Sequence, residues 1–344
     1  MTDTLAAGSA LPSAAGFVSS SEYLVSWLPE LWFGLLVLAL GGYLLLDGFD
    51  FGIGVLFAEA DDHDREYLLA AFGPVWKANE VWLVFFGTVL FAGFPAVYAN
   101  LFSRHYVLAF LILGALILRG LGVKLREERD DEQWVQFWDR CFVAGSVAGP
   151  VLLGMFVGSW MLGTETAFEL GPIAVGLTVL TLTVVLGAAF FASKVDGELQ
   201  AWAFQRGQLA TLVYVGLFVV TAGATYVLYP EFQSTLLSVP TLAIVLVTVV
   251  GALGYVWAVR AERARLMFVA GAAMAVALVA LVAHMLYPAA DPATNLAIRD
   301  AIVSPLPLNI ASLVAAVFVP IIAVYFVFLY SVFRGPAQPS EGYS

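Results

Sequence analysis

Nine segments of this chain are apolar over lengths that can cross a lipid bilayer as α-helices. The hydrocarbon core of a bilayer requires about 20 apolar residues per helix. The segments lie at residues 31–57, 71–98, 106–123, 141–162, 172–193, 207–228, 239–259, 266–287 and 306–333. Each is a continuous run rich in Leu, Val, Ala and Phe, whereas a transmembrane barrel would show alternating segments of about ten residues. The sequence therefore predicts an all-α integral membrane protein with nine transmembrane helices.

The composition excludes a soluble globular domain, because 61% of the residues are hydrophobic and only 12% are charged. The formal net charge of −11 comes from acidic loops, which would repel nucleic acid and anionic lipid surfaces. Cys141 is the only cysteine in the sequence, so an intrachain disulfide and a cysteine-based metal cluster from this chain alone are excluded. We expect membrane lipid as a partner and no nucleic acid.

The ends of the chain differ from its middle. Residues 1–30 contain no Lys or Arg ahead of an apolar run, which is unlike a cleaved signal peptide, and we interpret them as a polar tail. Residues 31–334 are predicted to form a single transmembrane domain, followed by a short C-terminal tail over 335–344.

The basic residues predict the orientation in the membrane. Of the fifteen Lys and Arg residues, eleven fall in the loops on one side of the nine segments and only two on the other. Loops rich in Lys and Arg stay in the cytoplasm. The N-terminus is therefore expected outside and the C-terminus in the cytoplasm.

Six polar residues lie inside the first three apolar segments, at similar predicted depth near the cytoplasmic side. They are Asp47, Asp50, Lys77, Asn79, Glu80 and Arg119. Charged groups in hydrocarbon are expensive and are expected to pair with one another. Lys77 with Asp47 or Asp50, and Arg119 with Glu80, are the predicted pairs.

Two interpretations of this cluster are open. The ion pairs can simply lock the helices together, or the titratable groups can form a proton entry route from the cytoplasm. The number of ionisable residues within three helices favours the second interpretation, because intramembrane acids and bases mark ion and proton pathways.

Three histidines are the only candidates for haem or metal ligation. His63 lies in an acidic loop, His105 at the start of the third segment and His284 near the end of the eighth. Their spacing matches neither a metal pair on one helix face nor an intramembrane bis-histidine haem site. We predict no metal site and no catalytic residue in this chain.

Several motifs carry a resemblance to a known family. Leu46–Gly54, Gly73–Leu83, Leu90–Ala99 and Leu118–Gly120 together resemble subunit II of the cytochrome bd-type quinol oxidases. Beyond residue 160 the resemblance is one of hydropathy and length, with a final helix that contains Phe318–Ile322.

The resemblance implies the second subunit of a terminal oxidase in the plasma membrane of a prokaryote, which oxidises quinol and reduces dioxygen to water. Subunit I of such a complex holds two b-type haems and one d-type haem. Subunit II has two four-helix bundles and a peripheral helix, contributes no axial ligand and is not catalytic alone. Its implied roles are to stabilise subunit I and to supply part of a cytoplasmic proton path. A structural quinone and small accessory subunits are further partners that the resemblance suggests.

One position departs from the family pattern. The family usually has an aspartate, proposed to lie on the proton path, where this chain has Lys77. A lysine relays protons poorly at neutral pH unless burial lowers its pKa strongly. We therefore expect any path to run through Glu80, Asp50 or Asp47.

Two other classes of function remain open. Paired intramembrane acids could bind the coupling ion of a proton- or cation-coupled secondary transporter, although we find no pair of broken helices at corresponding positions in two halves. The chain could also be a purely structural scaffold for a haem-bearing subunit.

Overall fold

The computed structural model describes residues 21–338. Within that range the chain is almost entirely helical. The helices are α1 (Leu28–Leu56), α2 (Asp62–Phe72), α3 (Trp76–Gly93), α4 (Pro95–Arg104), α5 (Tyr106–Arg126), α6 (Glu132–Leu162), α7 (Leu170–Ala192), α8 (Gly197–Leu228), α9 (Gln233–Leu236), α10 (Val239–Arg260), α11 (Ala264–Leu286), α12 (Ile298–Ala301) and α13 (Pro305–Val332). Two short antiparallel strands, β1 (Ala289–Asp291) and β2 (Leu296–Ala297), pair between α11 and α12. The predicted tails lie largely outside the described residues.

Eight helices in the described part are long and apolar enough to cross a membrane. They are α1, α5, α6, α7, α8, α10, α11 and α13. Helices α2 and α3 pass the same test together as a pair bent by 55°, which would make a ninth span. The chain is thus an all-helical, multi-pass membrane protein. The count of nine, the two four-helix bundles with a peripheral helix, and the orientation stay predictions.

The segment predicted as one helix over 71–98 is broken twice in the structure. Helix α2 ends at Phe72 and α3 begins at Trp76, on either side of Pro74, and a second break at Phe94 precedes Pro95. Proline lacks a backbone N–H and disfavours helical geometry in the residue before it. The hydropathy of the sequence does not predict these breaks, because the apolar character continues across both.

Helix α6 begins at Glu132, well before the predicted start at 141. Its N-cap is Asp131, whose side chain accepts a hydrogen bond from the backbone N–H of Trp134 at 3.0 Å. The first turns of α6 are polar, so a search for apolar segments does not detect them. A helix can therefore begin before its apolar segment where an N-cap residue lies upstream.

Helix α1 lies in the middle of the bundle, against α3, α6, α7 and α11. Its closest approach is to α7, where the backbones of Gly52 and Gly187 meet. A Cβ atom added at Gly52 would lie 2.9 Å from the Gly187 Cα and would collide with the Thr183 carbonyl. Small residues allow such backbone contact between membrane helices. The packing fixes α1, and with it the polar residues it carries.

Candidate functional site

Asp47 and Arg119 form a buried ion pair between α1 and α5. The Asp47 side chain is fully buried and Arg119 is 1% exposed. Arg119 Nη2 donates to Asp47 Oδ1 at 2.5 Å, and Nη1 donates to Oδ2 at 3.1 Å. This bidentate geometry is the favoured one for arginine with a carboxylate. The charge of Asp47 is therefore balanced within the protein.

The arginine is held from its other sides as well. Its guanidinium carbon lies 4.0 Å from the centre of the Phe51 ring, one helical turn beyond Asp47. Helix α6 passes so close that a Cβ at Gly145 would lie 2.9 Å from the Arg119 Cα. The position of Arg119 is thus fixed by α1 and α6 together.

Asp50 has a different set of partners. Asn79 Nδ2 donates to Asp50 Oδ2 at 2.9 Å, and both side chains are fully buried. The hydroxyl of Tyr330 on α13 donates to Asn79 Oδ1 at 2.8 Å. The other oxygen of Asp50, Oδ1, accepts no hydrogen bond from any residue in the described range. Asp50 is therefore a buried acid without a cation in direct contact.

Glu80 lies at the edge of the same cluster. Arg119 Nη2 is 3.4 Å from Glu80 Oε1, as predicted for this pair, and the Glu80 side chain is 38% exposed. Glu80 is thus the ionisable group of the cluster that reaches the surface of the chain.

Lys77 does not join the cluster. Its side chain is exposed, and it makes no ion pair with any residue between 21 and 338. The predicted pairing of Lys77 with Asp47 or Asp50 is therefore wrong, because Arg119 takes Asp47 and Asn79 takes Asp50. Lys77 and Glu80 are three residues apart on α3, but shared spacing does not ensure that both side chains turn toward α1.

Two tyrosines of the site were missed in the sequence. Tyr43 is buried one helical turn before Asp47, and its spacing on α1 could have indicated its place. Tyr330 is 251 residues from Asn79 in the chain, and no local pattern links the two.

An apolar cavity of about 250 Å³ adjoins the polar cluster. Tyr43 and Phe51 line it from α1, and Leu83 and Gly87 line it from α3. Phe51 thus lines the cavity and also packs on the Arg119 guanidinium.

The histidines are placed apart from this site. The ring of His105 is hydrogen bonded with Ser159 Oγ at 3.1 Å, and that of His284 with Ser238 Oγ at 3.1 Å. His63 packs against Tyr67. Within residues 21–338 no three His, Cys, Asp or Glu side chains form a group that could hold a metal ion. Two of the three histidines thus have serine hydroxyls as hydrogen-bond partners.

Chemically, the cluster combines one neutralised pair with two carboxyl groups that differ in access. Asp50 is buried and bonded only to an amide, and Glu80 is partly exposed. Carboxyl groups in such positions can take up and release protons, whereas Asp47 is committed to Arg119. The arrangement suits proton handling at one end of α1, α3 and α5.

The chain matches a known protein family over most of its length. A family model described as cytochrome bd terminal oxidase subunit II covers residues 28–333.

Individual relatives agree with this match. The chain is 31% identical to cytochrome bd ubiquinol oxidase subunit 2 of Bacillus subtilis (strain 168) over 214 residues, which is 58% of this chain and 63% of that protein. It is 27% identical to cytochrome bd-I ubiquinol oxidase subunit 2 of Escherichia coli (strain K12) over an alignment of 361 residues, covering 87% of this chain and 92% of that protein. The match thus spans less than two thirds of the Bacillus relative and nearly all of the Escherichia one.

Proposed function

The chain belongs to the cytochrome bd terminal oxidase subunit II family, and from this membership we propose that it is the second subunit of a quinol-oxidising complex that reduces dioxygen to water. It is a terminal oxidase subunit and part of an oxidoreductase complex, as its relatives are. We place it in the plasma membrane of a prokaryote, with the N-terminus outside and the C-terminus in the cytoplasm.

The catalytic haems of this complex, two of b type and one of d type, belong in our proposal to a partner, subunit I. The present chain then stabilises that partner and is not catalytic alone. The apolar cavity beside Tyr43 is where we propose that a structural quinone is held, because its lining is apolar and it adjoins buried polar groups.

The finer role that we propose is part of a cytoplasmic proton path. The observation that carries it is the pair of carboxyl groups free of a full counter-charge. Asp50 is buried with only Asn79 as partner, and Glu80 is 38% exposed and 3.4 Å from Arg119. Protons would enter at Glu80 and reach the interior through Asp50, while the Asp47–Arg119 pair keeps its charge balance.

Turnover of the purified complex tests this role. Asp50→Asn and Glu80→Gln each keep the shape of the side chain and remove its titratable proton. We expect either change to slow quinol-driven oxygen consumption by roughly a hundredfold, the lower end of the range for loss of an acid–base group. Haem absorbance of the complex should be unchanged.

Glu128→Gln is the matched control, because Glu128 is an exposed loop acid outside the cluster. It should leave oxygen consumption unchanged. Normal turnover in both Asp50→Asn and Glu80→Gln would remove the proton path from the proposal and leave a scaffold role.

The scaffold role is the second candidate, and the Asp47–Arg119 pair favours it. A bidentate, fully buried pair between two helices fixes their register, and that is what a haem-stabilising subunit requires. Under this alternative the cluster matters for assembly and not for the rate of oxygen reduction.

A further inference from the structure

Helix α13 touches the rest of the protein at few places. Only Leu308 and Asn309 of its residues are buried, and the large apolar side chains along its middle are exposed. Its C-terminal half meets α3, where Phe326 packs on Trp82 with ring centres 5.5 Å apart and Tyr330 bonds to Asn79. The Tyr330 contact is therefore a specific one and not a by-product of extensive packing.

The segment after α13 is fastened to the turn between α7 and α8. The ammonium group of Lys194 donates to the carbonyls of Phe333 and Gly335, and the backbone N–H of Ala337 donates to the Lys194 carbonyl at 2.8 Å. Burial lowers the pKa of Lys194 below its ordinary value, and the two carbonyls replace part of its lost hydration. This latch holds the end of α13, and hence Tyr330, against α3.

The hydroxyl of Tyr330 holds the oxygen end of the Asn79 amide whose nitrogen donates to Asp50. An amide has one end that donates and one that accepts, and the two can be exchanged by a flip. A phenol hydroxyl can donate to the amide oxygen or accept from its nitrogen, while a carboxylate can only accept from the nitrogen. Because Asp50 accepts from the nitrogen, Oδ1 is the end left for Tyr330, and the two hydrogen bonds together hold the amide in place.

We propose that Tyr330 is a positioning residue for Asp50, which acts through Asn79 and is held in place by the Lys194 latch. Tyr330 restrains the amide by holding its oxygen, and the amide nitrogen donates to the buried acid. The expected effect of Tyr330 on oxygen reduction rests on the proposed proton path. Its expected effect on the hydrogen bonding of Asp50 does not depend on that path.

Infrared difference spectroscopy of the assembled complex tests the proposal directly. The band lost in Asp50→Asn identifies the carboxyl group of Asp50. Tyr330→Phe removes one oxygen atom and retains the ring, and we expect it to shift that band. Tyr325→Phe, on the same helix with an exposed side chain, is the matched control and should leave the band in place.

Oxygen consumption separates this proposal from the proposed function. Tyr330→Phe should slow it by about threefold to tenfold, the size expected for one lost hydrogen bond. If Asp50→Asn leaves turnover normal while Tyr330→Phe shifts the band, the proton path fails and the positioning role stands. If Asp50→Asn slows turnover and Tyr330→Phe changes neither rate nor band, the positioning role is overturned alone.

Should Tyr330→Phe reduce the yield of complex, Lys194→Met provides a second measurement. It loosens the latch without touching the cluster, and a broadened Asp50 band is expected. An unchanged Asp50 band in Lys194→Met would likewise count against the proposal.

Discussion

At the scale of single residues, two aspartates one turn apart on the same helix have different chemistry. Asp47 faces α5 and is bound by Arg119 through both oxygens, whereas Asp50 faces α3 and is bound by a neutral amide. The different partners are the basis on which our proposal gives Asp47 a structural role and Asp50 a role in proton transfer.

The ion pair leads to a stability prediction. Arg119→Leu leaves the Asp47 carboxylate buried without its partner, which is expected to cost about 3–5 kcal/mol. The double variant with Asp47→Leu and Arg119→Leu removes both charges and should recover most of that loss. The measurement is the fraction of haem-bearing complex that survives heating in detergent.

Glu80 provides the matched comparison for this prediction. Glu80→Leu removes the second carboxylate near Arg119, but Glu80 is partly exposed and its contact with Arg119 is longer. The loss of stability in Glu80→Leu should therefore be small. Equal losses for the single and the double variant would contradict the assigned role of the pair.

The sequence alone predicted most of this site and misplaced one member. Asp47, Asp50, Asn79, Glu80 and Arg119 come together because charged and polar groups in hydrocarbon have few other places to lie. Lys77 was assigned to the cluster from its spacing along the helix. Spacing predicts which face of the helix a residue is on, but not which neighbouring helix packs against that face. Tyr330 was not predictable, because its contact depends on how α13 docks.

At the scale of helices, the site depends on close backbone contact between α5 and α6. A Cβ added at Gly145 would lie 2.5 Å from both the Arg119 nitrogen and the Ala115 carbonyl oxygen. These are backbone atoms, which cannot turn away as a flexible side chain can.

Helix boundaries were predicted less well than helix existence. Pro74 and Pro95 break the helices through the backbone, and hydropathy does not reveal such breaks.

Gly145→Ala should push α5 away from α6 and move Arg119 relative to Asp47. We expect a loss of about 1–3 kcal/mol in stability, the usual cost of overpacking. Thermal inactivation of the complex measures it. Gly114→Ala is the control, because Gly114 lies on α5 with open space around it. A similar loss of stability in both variants would show that the loss comes from replacing any glycine of these helices, and not from the contact between α5 and α6.

At the scale of the whole molecule, charged networks lie at both ends of the helix bundle. At one end Arg126 binds Asp139 at 2.7 Å and Glu66 at 2.9 Å, which ties α2, α5 and α6 together. At the other end Arg104 binds the buried Asp291 at 3.1 Å and joins α4 to the strand β1. Ion pairs alone do not say which end faces the cytoplasm, so the predicted orientation rests on the count of basic residues.

Cysteine labelling tests that orientation. In a Cys141→Ser background, Glu231→Cys is expected to react with a membrane-impermeant maleimide on intact cells, because it lies between α8 and α9 on the predicted outer side. Glu128→Cys, between α5 and α6, should react only after the cells are opened. Both side chains are exposed in the structure. The reverse pattern would invert the topology and place the buried acids near the outer surface.

The distance along the chain between Asp47 and Arg119 has a consequence for biosynthesis. Arg119 follows Asp47 by 72 residues, so at about 5–20 residues per second the ribosome delivers it roughly 4–14 s later. During that interval Asp47 has no Arg119 to pair with, so placing it in lipid as a charged group would be costly. Tyr330 is made later still, so the site is completed only when the last helix arrives.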